Sequence, residues 1–261
     1  MKRWLKSLAA RLSATPVVRS SVVHLVYPNI VRCLREEVQP DVEAPEVVQT
    51  LAWKSHSCLV LQEELTGGKN CCPDRMRSDR ETRAALFSTV LENMNGCTGD
   101  ILEFGVSSGE SFLYFLNQCP ERQVYGFDSF DGLPEDWWTR PKGTFKAEPP
   151  RFDNPNGHLI KGLFDQTLPR FIASWNGRAA LVHVDCDLYR SSITVLTHVL
   201  PYCRQGSIVV FDEYYNYSEF ARHEWLAWRQ ARASFGITAA CIAYDGRRAA
   251  FQITRIDPFG K

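Results

Sequence analysis

Short apolar runs that stop at an acidic residue constrain this chain more than any other feature. Gln123–Phe127 ends at Asp128, Ala179–Val184 ends at Asp185, and Ser207–Phe211 ends at Asp212. Ile101–Gly105 and His158–Ile160 have the same strand-like character. Helically spaced stretches lie before and between them: Asp79–Asn93, Gly109–Gln118, Thr167–Ser174, Ser191–Leu200 and Tyr217–Phe235. Strands alternating with helices predict an α/β fold, a parallel sheet covered on both faces. In an open sheet of this kind the carboxyl ends of the strands converge on one crevice, so the terminal acids are gathered there. Beyond the last helix, Ile237–Tyr244 and Ala249–Ile253 flank Asp245-Gly246, a strong hairpin signal.

Composition excludes some classes of function. The 261 residues carry 30 Lys and Arg against 30 Asp and Glu, so no basic excess suggests a nucleic-acid partner. The balance hides an asymmetry. Met1–Arg35 contains seven basic residues and no acid, and Trp4, Leu5, Leu8, Ala9 and Leu12 repeat at helical spacing. Three readings of this basic amphipathic helix stay open: packing on the body or another subunit, contact with an anionic membrane surface, or a transit peptide. The nine cysteines are scattered and include no C-x-x-C pair, which reads as reduced thiols in a cytoplasmic protein.

The first strand–helix junction carries the cofactor signal. Glu103-Phe104-Gly105-Val106-Ser107-Ser108-Gly109-Glu110 has a G-x-x-x-G turn, not the G-x-G-x-x-G of dinucleotide sites. Ser107 and Glu110 have capping-box spacing. An acid near such a turn suits a cationic ligand, such as the amino group of S-adenosylmethionine. Asp128, ending the second strand, is placed for both ribose hydroxyls. With the terminal hairpin, this is the plan of the Rossmann-like, seven-stranded class I methyltransferase sheet, mostly parallel and closed by an antiparallel hairpin.

The stretches GDILEFGVSSGES, VYGFDSFDGLPEDW, KGLFDQTLP, LVHVDCDLYRSS and GSIVVFDEYYNY, in this order, resemble the macrocin O-methyltransferase family, a class I branch that uses S-adenosylmethionine. The resemblance implies a methyltransferase domain over 76–261. Residues 1–75 then form a helical extension serving as lid, dimerisation or surface-association segment, in a homo-oligomer. It implies cofactor contacts from Glu103, Gly105, Val106, Ser107, Gly109 and Ser111 to the methionine part. Asp128 and Ser129 would hold the ribose, and Leu163, Phe164 and Asp165 would border the adenine. Asp165 reads equally well as a helix N-cap.

Asp185, Asp212 and Glu213 form the acidic set of the crevice. Carboxylates crowded in a partly dry pocket repel one another and lose solvation. A divalent cation with oxygen ligands, Mg²⁺ or Mn²⁺, relieves both, and the resemblance implies Mg²⁺ on three such acids. Asp185 is the candidate general base and metal ligand together. The chain has Asp212-Glu213 where related members often carry Asp-Asp or Glu-Asp, so the longer Glu213 alters the geometry. Asp187 reads as an N-cap, His183 as a satisfied core histidine and His223 as an alternative base. Tyr214, Tyr215 and Tyr217 read as an aromatic wall, Trp137 and Trp138 as a cover for the cofactor, and Trp225 and Trp228 as core. The expected activity is O-methylation of a sugar, glycan or other small molecule. A metal-independent methyltransferase for another acceptor and a noncatalytic cofactor-binding module are the alternatives.

Overall fold

The computed structural model describes residues 45–71 and 78–257; the basic segment Met1–Arg35 lies outside them. The chain divides after Ser55. Helix α1, Pro45–Glu63, runs across that division. The second unit, His56–Lys261, holds the sheet. Its strands are β1 Lys69–Asn70, β2 Asp100–Phe104, β3 Val124–Asp128, β4 Gly157–Lys161, β5 Ala179–Val184, β6 Ile208–Phe211, β7 Ile237–Tyr244 and β8 Ala249–Ile256. Its further helices are α2 Asp79–Asn93, α3 Glu110–Gln118, α4 Phe164–Ser174, α5 Tyr189–Val199 and α6 Glu224–Ser234.

The spatial order is β1-β7-β8-β6-β5-β2-β3-β4. Every pairing is parallel except those of β8, which runs antiparallel to β6 and β7. The expected hairpin is therefore present, and β1 adds a short strand at the edge beyond it. The strand order reverses between β2 and β5, so a crevice opens above their carboxyl ends. Alternation along each strand sends side chains to two layers. Leu102, Phe104, Val182, Val184, Val209 and Phe211 pack on the layer that includes Leu168 of α4, Leu196 of α5 and Trp228 of α6. Ile101, Leu181, Ile208 and Val210 pack on Leu86, Phe87 and Val90 of α2 and Phe112 and Phe115 of α3. Glu103 and His183 have the parity of this second set, so both point beneath α2 and α3.

Several helix starts differ from the sequence expectation. The capping box belongs to α2, where Ser78 and Glu81 exchange bonds; at α3 the cap is Gly109 with φ 88° and no side-chain cap bond. Ser107, at φ 48°, lies in the turn itself. Helix α4 begins at Phe164, placing Asp165 inside its first turn, and α5 begins at Tyr189 behind Leu188. Neither Asp165 nor Asp187 is therefore an N-cap. The helix expected from Tyr217 starts only at Glu224. Tyr217 packs on the core and Phe220 is fully buried, while Phe220–Arg222 makes a single 3₁₀ turn. Core burial outweighs the helical periodicity of that stretch.

Candidate active site

A cleft of about 750 Å³ lies at the reversal point. The glycine turn forms one wall. Gly105 has φ 95°, and a Cβ there would come 1.7 Å from the Asp185 carbonyl oxygen, so only glycine fits. Asp128 organises the turn. Its Oδ2 accepts from the backbone N–H of Val106 at 2.8 Å and of Ser107 at 2.7 Å, and its Oδ1 accepts from Phe130 N–H at 2.7 Å. The sequence reading gave Asp128 a ligand role; the structure adds a structural one, since this carboxylate ties the turn after β2 to the loop after β3.

Of the residues expected to contact the cofactor, Gly105, Val106, Ser107, Ser111, Asp128, Ser129, Leu163, Phe164 and Asp165 border the cleft. Glu103 and Gly109 do not reach it. Glu103 is fully buried and accepts from the Ser111 hydroxyl, while Pro150 covers Gly109, lying 2.5 Å from where a Cβ would sit.

The opposite wall is acidic. Asp185, Asp187, Asp212 and Glu213 line it. Burial, then the charges of Asp212 and Asp187, pushes the Asp185 carboxyl well above the usual carboxylate range. Burial likewise raises Asp187 to about 7 and Glu213 to about 8. Asp212 moves the other way. Burial alone would raise it, but Arg248 and Arg83 hold it below its ordinary value. Arg248 Nε donates to Asp212 Oδ1 at 2.7 Å, and its other nitrogens reach Asp79 and Asp245 at 2.9–3.0 Å. Arg247 lies 3.2 Å from Glu213 Oε1.

Glu224 supports this wall from behind. Fully buried, it accepts from the N–H groups of Cys186 and Asp187 through Oε1 and of Glu213 through Oε2. It thus joins the loops after β5 and β6. His183 is core, but it is not satisfied: neither ring nitrogen has a hydrogen-bond partner. It lies 3.5 Å from Glu103 Oε1 and 4.0 Å from Asp212 Oδ1, with Phe87 and Phe115 edge-on to its ring. His183, Asp185 and Asp212 each place a ligand atom within 4.8 Å of the others; Glu213 stands outside this group.

Of the expected aromatic wall only Tyr217 faces the cleft, joined by Trp137, Trp138 and Phe145. Tyr214 is buried with its hydroxyl donating to Glu64 at 2.6 Å, and Tyr215 donates to the Asp245 carbonyl. His223 packs against Trp137 and Tyr217 and does not line the cleft, so it falls away as an alternative base. Trp228 is core as expected, whereas Trp225 is partly buried under Arg229. Bulky residues in the left-handed region border the same cleft: Trp138 at φ 51° and Phe145 at φ 67°, both exposed. Such backbone strain concentrates at functional sites. Arg83, Arg247, Arg248 and Glu224 escaped sequence reasoning. The adjacent pair Arg247-Arg248 in the turn facing the Asp212 strand was the available signal.

The reversal-point cleft, the glycine turn and the antiparallel last strand define a Rossmann-like class I methyltransferase fold. Comparison with known proteins agrees. Residues 102–214 match a family described as a methyltransferase domain. The chain is 28% identical to 8-demethyl-8-(2,3-dimethoxy-α-L-rhamnosyl)-tetracenomycin-C 4′-O-methyltransferase of Streptomyces olivaceus, over 48% of this chain and 56% of that protein. It thus spans just over half the length of that curated relative. Among solved structures, the calicheamicin methyltransferase CalS11 superposes with a TM-score of 0.56 at 20% identity, covering 80% of this chain and 93% of that one. The O-methyltransferase NovP gives 0.53 at 23% identity, over 65% and 79%.

Proposed function

We propose that this chain is an S-adenosylmethionine-dependent O-methyltransferase of the macrocin type, acting on a hydroxyl of a sugar or another small molecule. One observation carries the reading: a carboxyl at the end of β5, Asp185, shares a cleft with a glycine turn suited to the cofactor. The named activity of the tetracenomycin-glycoside relative supports the acceptor class.

When bound, S-adenosylmethionine supplies an electrophilic methyl carbon on a sulfonium. The chain's own residues orient and deprotonate. Val106 and Ser107, fixed by Asp128, shape the surface for the methionine part, and Leu163 and Phe164 offer apolar area to the adenine. Asp185 is placed to accept the proton of the acceptor hydroxyl, which raises the oxygen's nucleophilicity; a positioned base contributes about 10²–10⁴-fold. Trp137, Trp138 and Tyr217 give the cleft an aromatic surface on which a sugar or ring acceptor would rest.

The donor set fits a divalent cation. Asp185 has no hydrogen bond to its carboxyl among the described residues, and burial, with the neighbouring acids adding to it, raises Asp185, Asp187 and Glu213. Glu213, the third carboxylate expected from the sequence, stands outside the set; Asp185 and Asp212 would hold the ion, with His183 the third group within reach. There it would keep the acids ionised and lower the pKa of a coordinated hydroxyl. The test is methyl transfer over a panel of vicinal-diol sugars and catechols, with Mg²⁺ and after EDTA treatment. Mg²⁺-dependent transfer to a hydroxyl is expected. Turnover that survives chelation overturns the metal assignment, and an absence of S-adenosylhomocysteine binding overturns the whole reading.

A further inference from the structure

Arg83 lines the cleft and, among the described residues, makes ion pairs but no hydrogen bond. It extends from α2 to the cleft lining and reaches Glu110 at the start of α3. Three acids surround its guanidinium: Asp79 at 3.5 Å, Asp212 at 3.8 Å and Glu110 at 3.9 Å. Each is held more closely by another arginine. Arg80 is 3.0 Å from Glu110, and Arg248 is 2.9 Å from Asp79 and 2.7 Å from Asp212. Arg83 Nε is buried without a hydrogen-bond partner. A guanidinium presents a fork of donors matched to a carboxylate, and one that makes no such bonds at the edge of a cleft is free to take an incoming acceptor.

Helix α3 begins beside it. Gly109 has no side chain to cap this helix and no cap bond is made, so the N–H groups of its first turn, at Glu110 and Ser111, remain for a ligand. We propose that Arg83 and the first turn of α3 together bind the carboxylate of the cofactor's methionine part. The inference rests on the reading above that the cleft takes S-adenosylmethionine. Of that molecule's charged groups, the ammonium and the sulfonium are attracted by an acidic cleft. The carboxylate alone is repelled by Asp79, Glu110 and Asp212. It therefore requires a local cation, and Arg83 supplies one where the turn begins.

The experiment compares two probes by calorimetry, S-adenosylmethionine and decarboxylated S-adenosylmethionine, which keeps the ammonium, sulfonium, ribose and adenine. Wild type is expected to favour the carboxylated form. In Arg83→Met that preference falls by about 10- to 100-fold, the range for charge-assisted hydrogen bonds. Affinity for the decarboxylated form stays within threefold or rises, because a positive charge has been removed. Arg83→Lys keeps the charge without the fork and retains part of the preference, which serves equally if the Met variant does not fold. Taking the ratio within each variant cancels general damage to the cleft. An unchanged ratio in both variants, or no preference in wild type, overturns the role of Arg83 while the cofactor reading stands. If wild type binds neither probe, the cofactor reading falls as well.

Discussion

The two walls of the cleft are both built at strand ends, yet they are stabilised in different ways. On the glycine-turn side, one carboxylate, Asp128, is satisfied by three backbone N–H groups from the two adjoining turns. On the acidic side, four carboxyls face the cleft and one of them, Asp212, is well neutralised. Its partners, Arg83 and Arg248, come from α2 and from the turn between β7 and β8. The first wall is a local structure that completes itself. The second is assembled from distant segments and is left short of positive charge, which is the state of a wall built to receive a cation or give up protons.

That contrast can be broken experimentally. The largest effect is expected at Asp185. Asp185→Asn lowers turnover by about 10²–10⁴-fold and leaves S-adenosylhomocysteine affinity within threefold, measured by single-turnover kinetics and calorimetry. Equal losses in both would move Asp185 from the chemistry to the cofactor wall. Next is Arg248→Met, which strands buried Asp212 without its closest cation. Breaking a buried pair costs about 3–5 kcal/mol, read from chemical denaturation, and full stability would show that the arginine cluster does not hold the acidic wall together.

Asp128→Asn tests the other wall. Asparagine keeps one acceptor oxygen, so the N–H groups on the second oxygen lose their partner, at about 1–3 kcal/mol. Cofactor affinity should fall with it. Unchanged stability would mean that the turn holds its shape without the carboxylate. Glu224→Gln makes the same kind of change behind the acids. It leaves up to two of three N–H groups without an acceptor, and a loss of about 1–3 kcal/mol is expected.

A further test of the acidic wall concerns pH. Glu213 and Asp187 are raised in the folded protein to about 8 and about 7, while in the unfolded chain they return to about 4. Between these values the folded state keeps protons that the unfolded state releases. Stability is therefore fully present below pH about 4 and declines as pH rises to about 8. The melting temperature should drift down over that window, and Mg²⁺ should flatten the drift by favouring the ionised forms. A rise in melting temperature with pH would contradict the raised values, and a slope indifferent to Mg²⁺ would count against a metal on these acids.

Much of this architecture was legible from residue pattern. Apolar runs ending at Asp128, Asp185 and Asp212 located strands and acids together, and Asp245-Gly246 located the hairpin. The glycine-turn wall of the cleft was legible because it is made mostly by neighbouring residues between Gly105 and Ser111, and by one acid at the next strand end. What escaped was set by side-chain direction and by distance along the chain. Glu103 lies two residues before Gly105, but strand alternation turns it beneath α2 and α3, so it bonds Ser111 and not a ligand. Tyr214 and Tyr217 look equivalent in sequence; one is buried against Glu64 and the other lines the cleft. Asp187 has the spacing of a helix cap and takes a left-handed conformation at φ 60°.

The amino-acid sequence by itself determined the α/β order, the reversal crevice and the identity of the acids in it. Those follow from periodicity and from turn chemistry, which act between near neighbours. The tertiary structure alone decided which acids are neutralised. Arg83, Arg248 and Glu224 meet Asp212, Glu213 and the loop after β5 only when α2, the β7–β8 turn and α6 pack on the sheet. Ionisation in a buried cleft depends on charges a few ångströms away, whatever their separation along the chain.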